Sequence, residues 1–207
     1  MNNNSFLNDV LRKVDNDRKA YDEAFDMLFG ETFQKSMPHF EVVSFEQFKK
    51  DWMTVFEDEY WDTPEDAEEI KDIYNDIKLP SRSSTGSAGY DIFSPVSFYI
   101  KPGESIMIPT GIRVYMPQDM VFMIYPRSGL GTKHRFIPCN LTGVVDSDFY
   151  YSDNEGHIHM KMANDSDHVV TIDAGKAFCQ GVFTKYYTVY GDNVSKKRNG
   201  GFGSSGM

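Results

Sequence analysis

The chain has little cysteine, little positive charge and no long apolar run. Its 207 residues include 2 cysteines and carry a formal net charge of −10. Cys139 and Cys179 are too few for a disulfide framework, and both lie in apolar runs, so we expect buried free thiols in a reducing cytoplasm. No apolar run approaches about 18 residues, which argues against a transmembrane span. The N-terminal residues also lack the basic-then-apolar pattern of a secretory signal.

The acidic excess lies in the first part of the chain. Residues 1–79 contain 20 acidic and 9 basic side chains, whereas residues 80–207 contain 11 and 12. An acidic chain gains nothing from contact with a phosphate backbone, so this charge disfavours general nucleic-acid binding. A small anionic ligand in the nearly neutral second part is still compatible with the sequence.

Before residue 79, apolar residues recur at helical spacing. We predict a helical extension over residues 1–38, a strand over residues 39–43 and a helical insertion over residues 44–78. In the insertion, Ser44 and Gln47 form the pattern of a capping box. A second helix is expected to begin at "TPED" (63–66), because proline is favoured at the first helical position.

After residue 79 the pattern changes to short β-prone segments with turn residues between them. The predicted strands include "MVFMIYP", "FIPCNLTGVV", "HIHMKM", "HVVTI" and "FCQGVFTKYY", with turns at Pro102-Gly103 and at "DNEG" (153–156). This pattern predicts a mainly β fold, a β-barrel or jelly roll with added N-terminal α-helices.

Five stretches of this β part contain polar residues that packing alone does not require. They are "SAGYDIF" with Asp91, "YPRSGLG" with Arg127 and Ser128, "NLTGVVDSDF" with Asp146, "GKAFCQGVF" with Gln180, and the terminal "RNGGFGSSGM". Glycines beside Arg127 allow backbone amides to approach an anion. Asp146 ends an apolar strand, where we expect its carboxylate to be poorly solvated.

In their order and spacing, the five stretches closely resemble the motifs of the homotrimeric all-β dUTP pyrophosphatases, the dUTPases. The resemblance covers about residues 79–207, and its details are most similar to a bacterial and phage subgroup. It implies a β-barrel over residues 79–196, with the first strand at 39–43, and a flexible C-terminal arm over residues 197–207. It also implies a homotrimer that hydrolyses dUTP to dUMP and pyrophosphate in the cytoplasm.

The resemblance assigns roles in the reaction. Asp146 would be the general base that activates water for attack on the α-phosphorus, since an aspartate is ionised at neutral pH. Asp91 would hold Mg²⁺ through a water, as is common for this ion. The residues that would contact phosphates are Arg127, Ser128, Gly129, Gln180, Arg198, Gly203, Ser204 and Ser205.

The same resemblance places uracil in the third stretch, beside Asn140 and Gly143. Phe149 would lie beneath the deoxyribose and exclude a 2′-hydroxyl, although the family usually has tyrosine at this position. Phe202 would stack over uracil when the arm closes. Lys197 takes the usual position of the family's arm arginine, but the planar fork of Arg198 favours that residue for the γ-phosphate.

Other interpretations are weaker. A dCTP deaminase shares the fold but needs a catalytic glutamate where this chain has Lys161. His157 and His159 share a strand face, but no third metal ligand is evident in the sequence. The acidic run from Glu57 to Asp76 is better interpreted as a solvated helix face than as a metal cluster. The remaining alternative is a regulatory protein whose N-terminal helices bind a protein partner.

Overall fold

The computed structural model describes residues 36–56 and 67–195. Within these ranges the chain forms antiparallel sheets with few helices, which confirms the mainly β prediction. The strands are β1 (His39–Val42), β2 (Tyr90–Phe93), β3 (Phe98–Ile100), β4 (Ser105–Pro109), β5 (Ile112–Tyr115), β6 (Met120–Pro126), β7 (Phe136–Pro138), β8 (Gly143–Asp146), β9 (His159–Asn164), β10 (Val170–Ile172) and β11 (Ala177–Lys185). The helices are α1 (Phe45–Phe56), α2 (Ala67–Asn75), α3 (Ser128–His134) and a 3-10 helix (Ser147–Tyr151).

Contacts along the chain group its residues into two compact units, 1–39 and 40–207. The first unit is described only at residues 36–39. The helices predicted over residues 1–38 therefore lie almost entirely outside the described residues, as does the predicted helix start at 63–66. No helix in the described ranges has the length and hydropathy needed to span a membrane.

The strands form four sheets, with the orders β1-β5, β10-β3, β2-β11-β6-β8 and β4-β9-β7. Side chains from most of these strands meet in one hydrophobic core that includes Ile92, Ile108, Phe122, Phe136 and Phe178, each with at most 1% of its surface exposed. Burying such aliphatic and aromatic side chains contributes about 1.5–3 kcal/mol each. We call residues 79–195 the β region.

Helices α1 and α2, which we call the helix pair, have a smaller core of their own. It consists of Val43, Phe48, Trp52 and Ile70. Phe48 and Trp52 are four residues apart in α1, and Ile70 and Ile73 are three apart in α2, so the apolar faces expected from helical spacing are the ones that pack in this core. Val43 joins them from the residue after β1. The Tyr74 hydroxyl donates to the carbonyl oxygen of Val43 at 2.8 Å and links α2 to the end of β1.

The start of α1 differs from the expected capping box. Ser44 caps the helix as predicted, because its hydroxyl oxygen accepts the backbone N–H of Gln47 at 3.2 Å. Gln47 does not return a bond to Ser44; its side-chain amide donates instead to Asp51 at 2.8 Å. The backbone N–H of Ser44 donates to Glu155 at 2.8 Å, so a carboxylate distant in sequence takes the place of the expected glutamine.

Two further expectations are wrong. "FIPCNLTGVV" is not one strand: β7 pairs with β9 and β8 pairs with β6, and a turn separates them. In this turn the N–H of Leu141 donates to Pro138 at 2.8 Å, and Leu141 has a φ of 64°. Cys179 is buried as expected, but Cys139 lies next to the turn and is exposed.

Candidate active site

Three of the predicted site residues meet where β2, β11 and β6 lie side by side. Gln180 of β11 is paired with Asp91 of β2 on one side and with Tyr125 of β6 on the other. Arg127 follows the end of β6. Residues from three separate sequence stretches are therefore brought together by strand pairing alone. We call this group the anion cluster.

The guanidinium of Arg127 forms a bidentate ion pair with the carboxylate of Asp91. Nε lies 2.9 Å from Oδ1 and Nη2 lies 3.2 Å from Oδ2, which is the fork geometry that arginine makes with carboxylates. Nη1 also donates to the carbonyl of Ala177 at 3.3 Å. The arginine side chain remains 41% exposed, so it can still meet an incoming anion.

The hydrogen bonds of Asp91 leave room for the water-mediated metal contact that the family resemblance implies for it. Each of its oxygens accepts one guanidinium N–H, and a carboxylate has about four acceptor sites. The remaining sites can accept hydrogen bonds from a water that belongs to Mg²⁺, an ion that usually retains several waters in protein sites.

The side chain of Gln180 is held close to the backbone of β6. Its amide nitrogen donates to the carbonyl of Pro126 at 3.1 Å. A Cβ atom at Gly89 would lie 2.7 Å from the Gln180 side-chain oxygen, so glycine at this position leaves room for the amide. Ser128 and Gly129 are exposed in the first turn of α3, directly after Arg127.

A second group of predicted residues surrounds a cavity of about 400 Å³. Asn140, Gly143 and Phe149 line it, together with apolar side chains from β6, β8 and β9. Phe149 is 7% exposed and Gly143 is buried, whereas Asn140 is exposed beside the turn that precedes β8. This mixture of one aromatic ring, apolar walls and a few polar groups is typical of a site for a small organic ligand.

Asp146 is the last residue of β8 and follows Val145, which lines this cavity. Residues of β8 alternate between buried and exposed, and Asp146 is on the exposed side. The poor solvation expected for its carboxylate is therefore wrong, because the alternation of a strand places consecutive side chains on opposite faces.

The described chain does not bring Asp146 to the anion cluster. Asp146 is paired with Val121 near the start of β6, whereas Arg127 follows the end of that strand. Six residues of extended strand separate the two positions by about 20 Å. The predicted site residues thus form two groups within one chain. Arg198, Phe202, Gly203, Ser204 and Ser205 lie outside the described residues.

Sequence reasoning missed a side-chain cluster at the edge of the cavity. Oδ2 of Asp51 in α1 lies 2.6 Å from Nδ1 of His157 and 3.3 Å from Nε2 of His159, and His159 lines the cavity. The His-x-His spacing was visible in the sequence, but its partner is more than 100 residues away. Helical periodicity places Asp51 next to buried Trp52 without indicating what it contacts.

Two groups of this cluster have altered pKa values. Burial by itself raises the pKa of Asp51, but hydrogen bonds from His157, His159 and Gln47 outweigh burial and hold it well below its usual range. Burial lowers the pKa of His157, and the hydrogen bond to Asp51 only partly offsets this effect. At neutral pH the cluster thus contains an ionised aspartate beside a neutral, buried imidazole.

A dUTPase family model matches residues 75–206 of the chain. The chain belongs to the dUTPase family. It is 42% identical over 133 residues to the deoxyuridine 5'-triphosphate nucleotidohydrolase of Lactococcus lactis, covering 63% of this chain and 89% of that protein. It is 35% identical over 142 residues to the Haemophilus influenzae enzyme, covering 65% and 91%.

A solved structure gives the same result for the fold. The crystal structure of dUTPase from Streptococcus mutans matches with a TM-score of 0.53 and 29% identity, over 73% of this chain and 98% of that one. The resemblance inferred from the five stretches is confirmed, and this dUTPase is an enzyme that hydrolyses dUTP.

Proposed function

We propose that this dUTPase uses Asp146 as general base for Mg²⁺-dependent hydrolysis of dUTP at the α-phosphorus. The observation that supports the proposal is the arrangement of the predicted site residues in two groups, the anion cluster and the cavity lining. Arg127 and Gln180 of the anion cluster, with the adjacent Ser128 and Gly129, would contact phosphates, and the cavity would receive the nucleoside between an aromatic ring and a few polar groups.

In the proposed reaction, the Asp146 carboxylate accepts a proton from a water as its oxygen attacks the α-phosphorus. The bond between this phosphorus and the α,β-bridging oxygen breaks, dUMP forms and pyrophosphate leaves. Asp91 would hold Mg²⁺ through a water, and the bound ion would supply positive charge beside the triphosphate. Asp146 is on the exposed face of β8, where a water can reach its carboxylate, and it would act mainly by positioning that water.

Asn140 and backbone groups near Gly143 would recognise uracil, and Phe149 would support the deoxyribose. A cavity of about 400 Å³ is large enough for a nucleoside, and the buried position of Phe149 restricts the space beside the sugar. The arm over residues 197–207 would add Arg198 to the γ-phosphate, Phe202 over uracil, and Gly203, Ser204 and Ser205 to the phosphates. The outcome is a lower dUTP concentration and less uracil in DNA.

We also propose a homotrimer, for a reason that the geometry supplies. Asp146 and the anion cluster lie about 20 Å apart along β6, which is too far for both to act on the same phosphate from one chain. A site assembled from Asp146 of one subunit and Arg127 of another removes this difficulty. Cytoplasmic location, the jelly-roll closure of the sheets and a protein partner for the helices stay predictions.

The test measures pyrophosphate release with Mg²⁺ from dUTP, dCTP, dTTP and UTP. We expect cleavage of dUTP alone, and Asp146→Asn should lower kcat by about 100- to 10,000-fold, the range for loss of a general base. Asp148→Asn is the matched control, because it removes the same charge two residues away. Equal losses in both variants would contradict the assignment of Asp146.

A further inference from the structure

Helix α1 contacts the segment between β8 and β9 at two separate points. At its first turn, the hydroxyl of Ser44 donates to Oε1 of Glu155 at 2.6 Å and its backbone N–H donates to Oε2 at 2.8 Å. Two helical turns later, Asp51 meets His157 and His159. Contacts at positions seven residues apart on one helix face fix both the position and the direction of the segment.

Asp51 is the centre of the second contact. Its Oδ2 atom lies within hydrogen-bond distance of the Gln47 amide at 2.8 Å, of His157 Nδ1 at 2.6 Å and of His159 Nε2 at 3.3 Å. Two of these partners belong to the β region and one to α1 itself. The carboxylate therefore joins the helix pair to β9 with hydrogen bonds to a charged acceptor, which are stronger than neutral ones.

The tautomer of His157 can be assigned from the hydrogen bond that its Nε2 atom accepts. The backbone N–H of Gly111 donates to Nε2 of His157 at 2.7 Å, so Nε2 has no proton. The proton of the neutral ring must then be on Nδ1, where it points to Asp51. His157 is completely buried and acts as a rigid connector between the β4–β5 turn and α1.

The same tautomer argues against a metal ion in this cluster. The ligand atoms of Asp51, His157 and His159 lie within 4.8 Å of one another, a spacing that a divalent cation accepts. A ligating Nδ1 must present a lone pair, but here that atom carries the proton it donates to Asp51. Moving the proton to Nε2 would direct it against the N–H of Gly111.

The cluster reaches the cavity through His159. This residue lines the cavity together with Ile158, Phe149 and Asn140. The segment between β8 and β9 also carries Phe149, whose carbonyl oxygen accepts both the N–H of Ser152 at 3.0 Å and its hydroxyl at 2.6 Å. A shift of this segment against α1 would therefore move two walls of the cavity together.

We propose that Asp51 of the inserted helix is a positioning residue for nucleoside binding, and that it acts by holding His159 at the cavity wall. This inference rests on the proposed role of the cavity as the nucleoside site. The insertion would thus support substrate binding although it supplies no group to the reacting phosphates. Its loss should affect binding of dUTP more than the chemical step.

The test compares Asp51→Asn with Glu46→Gln, which removes the same charge from an exposed position on the same helix. We expect Asp51→Asn to raise KM for dUTP about tenfold, the effect of one lost charged hydrogen bond, with kcat within about twofold of the parent. Glu46→Gln should leave both parameters unchanged. Equal KM values in all three proteins, or a loss confined to kcat, would overturn the inference.

A double-mutant cycle shows whether Asp51 acts through His159. His159→Gln alone should raise KM to a similar extent, and it provides a second readout if Asp51→Asn folds poorly. The double variant should be no worse than the more impaired single variant, because one contact is lost in each. Multiplied effects in the double variant would mean that the two residues act independently, and the inference would be wrong.

The proton positions can be observed directly in the parent enzyme labelled with ¹⁵N-histidine. We expect the spectrum of His157 to be that of an Nδ1–H tautomer, unchanged by an equivalent of Zn²⁺. A Zn²⁺-dependent shift that disappears in His159→Gln would show a metal site instead. Parent enzyme that fails to cleave dUTP would contradict the proposed function, whereas a cleaving parent with unaffected variants would contradict this inference alone.

Discussion

The β region and the helix pair both have buried cores, but they use their polar residues differently. In the β region, polar side chains such as Arg127 and Asp146 lie at the ends of strands, where they remain accessible. In the helix pair, Gln47 is buried and Asp51 is largely enclosed at the contact with β9. Strand ends can present groups to a ligand, whereas helix α1 uses its groups to hold the wall of a cavity.

This contrast separates three kinds of variant. Changes at the accessible strand ends should affect the reaction with little effect on stability. Changes in the helix core should affect stability first, and changes at the contact between the regions should affect both.

The largest effect is expected from mixing two inactive variants. Asp146→Asn and Arg127→Ala should each lose at least about 100-fold in activity, since each removes a group that acts on the reacting phosphates. If one subunit supplies Asp146 and another supplies Arg127, trimers co-assembled from equal amounts of both should regain about a quarter of parent activity. The measurement is pyrophosphate release before and after co-assembly.

Co-assembly of Asp146→Asn with itself is the control and should restore nothing. Absence of recovery in the mixed trimers would mean that both groups act from the same chain. The proposed division of the site between subunits would then be wrong, because Asp146 and Arg127 would have to approach each other within one chain.

A smaller effect, on stability, is expected from the core of the helix pair. Trp52 is 1% exposed, and Trp52→Ala should lower the free energy of unfolding by about 3–5 kcal/mol through lost burial and a cavity. Trp52→Phe should cost less, because it retains a ring and removes an indole N–H that has no hydrogen-bond partner among the described residues. Urea denaturation at fixed protein concentration measures both values.

The kcat of the same variants shows whether the helix pair takes part in the chemical step. Below its unfolding midpoint, Trp52→Phe should have a kcat equal to that of the parent, because Trp52 packs in the core of the helix pair and neither lines the cavity nor belongs to the anion cluster. A kcat that falls in proportion to the loss of stability would show that the helix pair takes part in the chemical step.

The smallest effect is the pH dependence of stability at the contact between the regions. The pKa of His157 is lower in the folded protein than in the unfolded chain, so the unfolded state binds more protons as pH falls below about 6.5. The free energy of unfolding should therefore fall from pH 7.5 to pH 5.5, by at most about 1.4 kcal/mol per pH unit from this residue, and the melting temperature should fall with it. Asp51, whose pKa is also lowered, adds to the loss below about pH 4.

Thermal melts from pH 7.5 to pH 5.5 test whether stability falls with pH as expected. His168→Gln is the control, because His168 is exposed and contacts Asp167 on the surface; the pH slope should persist in that variant. A parent protein that becomes more stable as the pH falls from 7.5 to 5.5 would contradict the assignment of His157 as a buried neutral ring.

The class of fold and most of the strands could be predicted from the sequence, because alternation and turn residues are local properties. It also identified the family, because the five stretches combine residue types and spacing that packing alone does not require. The amphipathic faces of α1 and α2 could also be predicted, since helical spacing places Phe48, Trp52 and Ile70 on the buried sides of these helices.

Which distant residues meet depends on how the helices and strands pack. Strand pairing placed Asp91 beside Gln180 and left Asp146 near the opposite end of β6. The backbone N–H of Ser44 donates to Glu155 and not to Gln47, and Asp51 contacts two histidines more than 100 residues away. Periodicity shows which side of an element is buried, but the partner of a polar group depends on how the elements pack, and no local pattern contains that information.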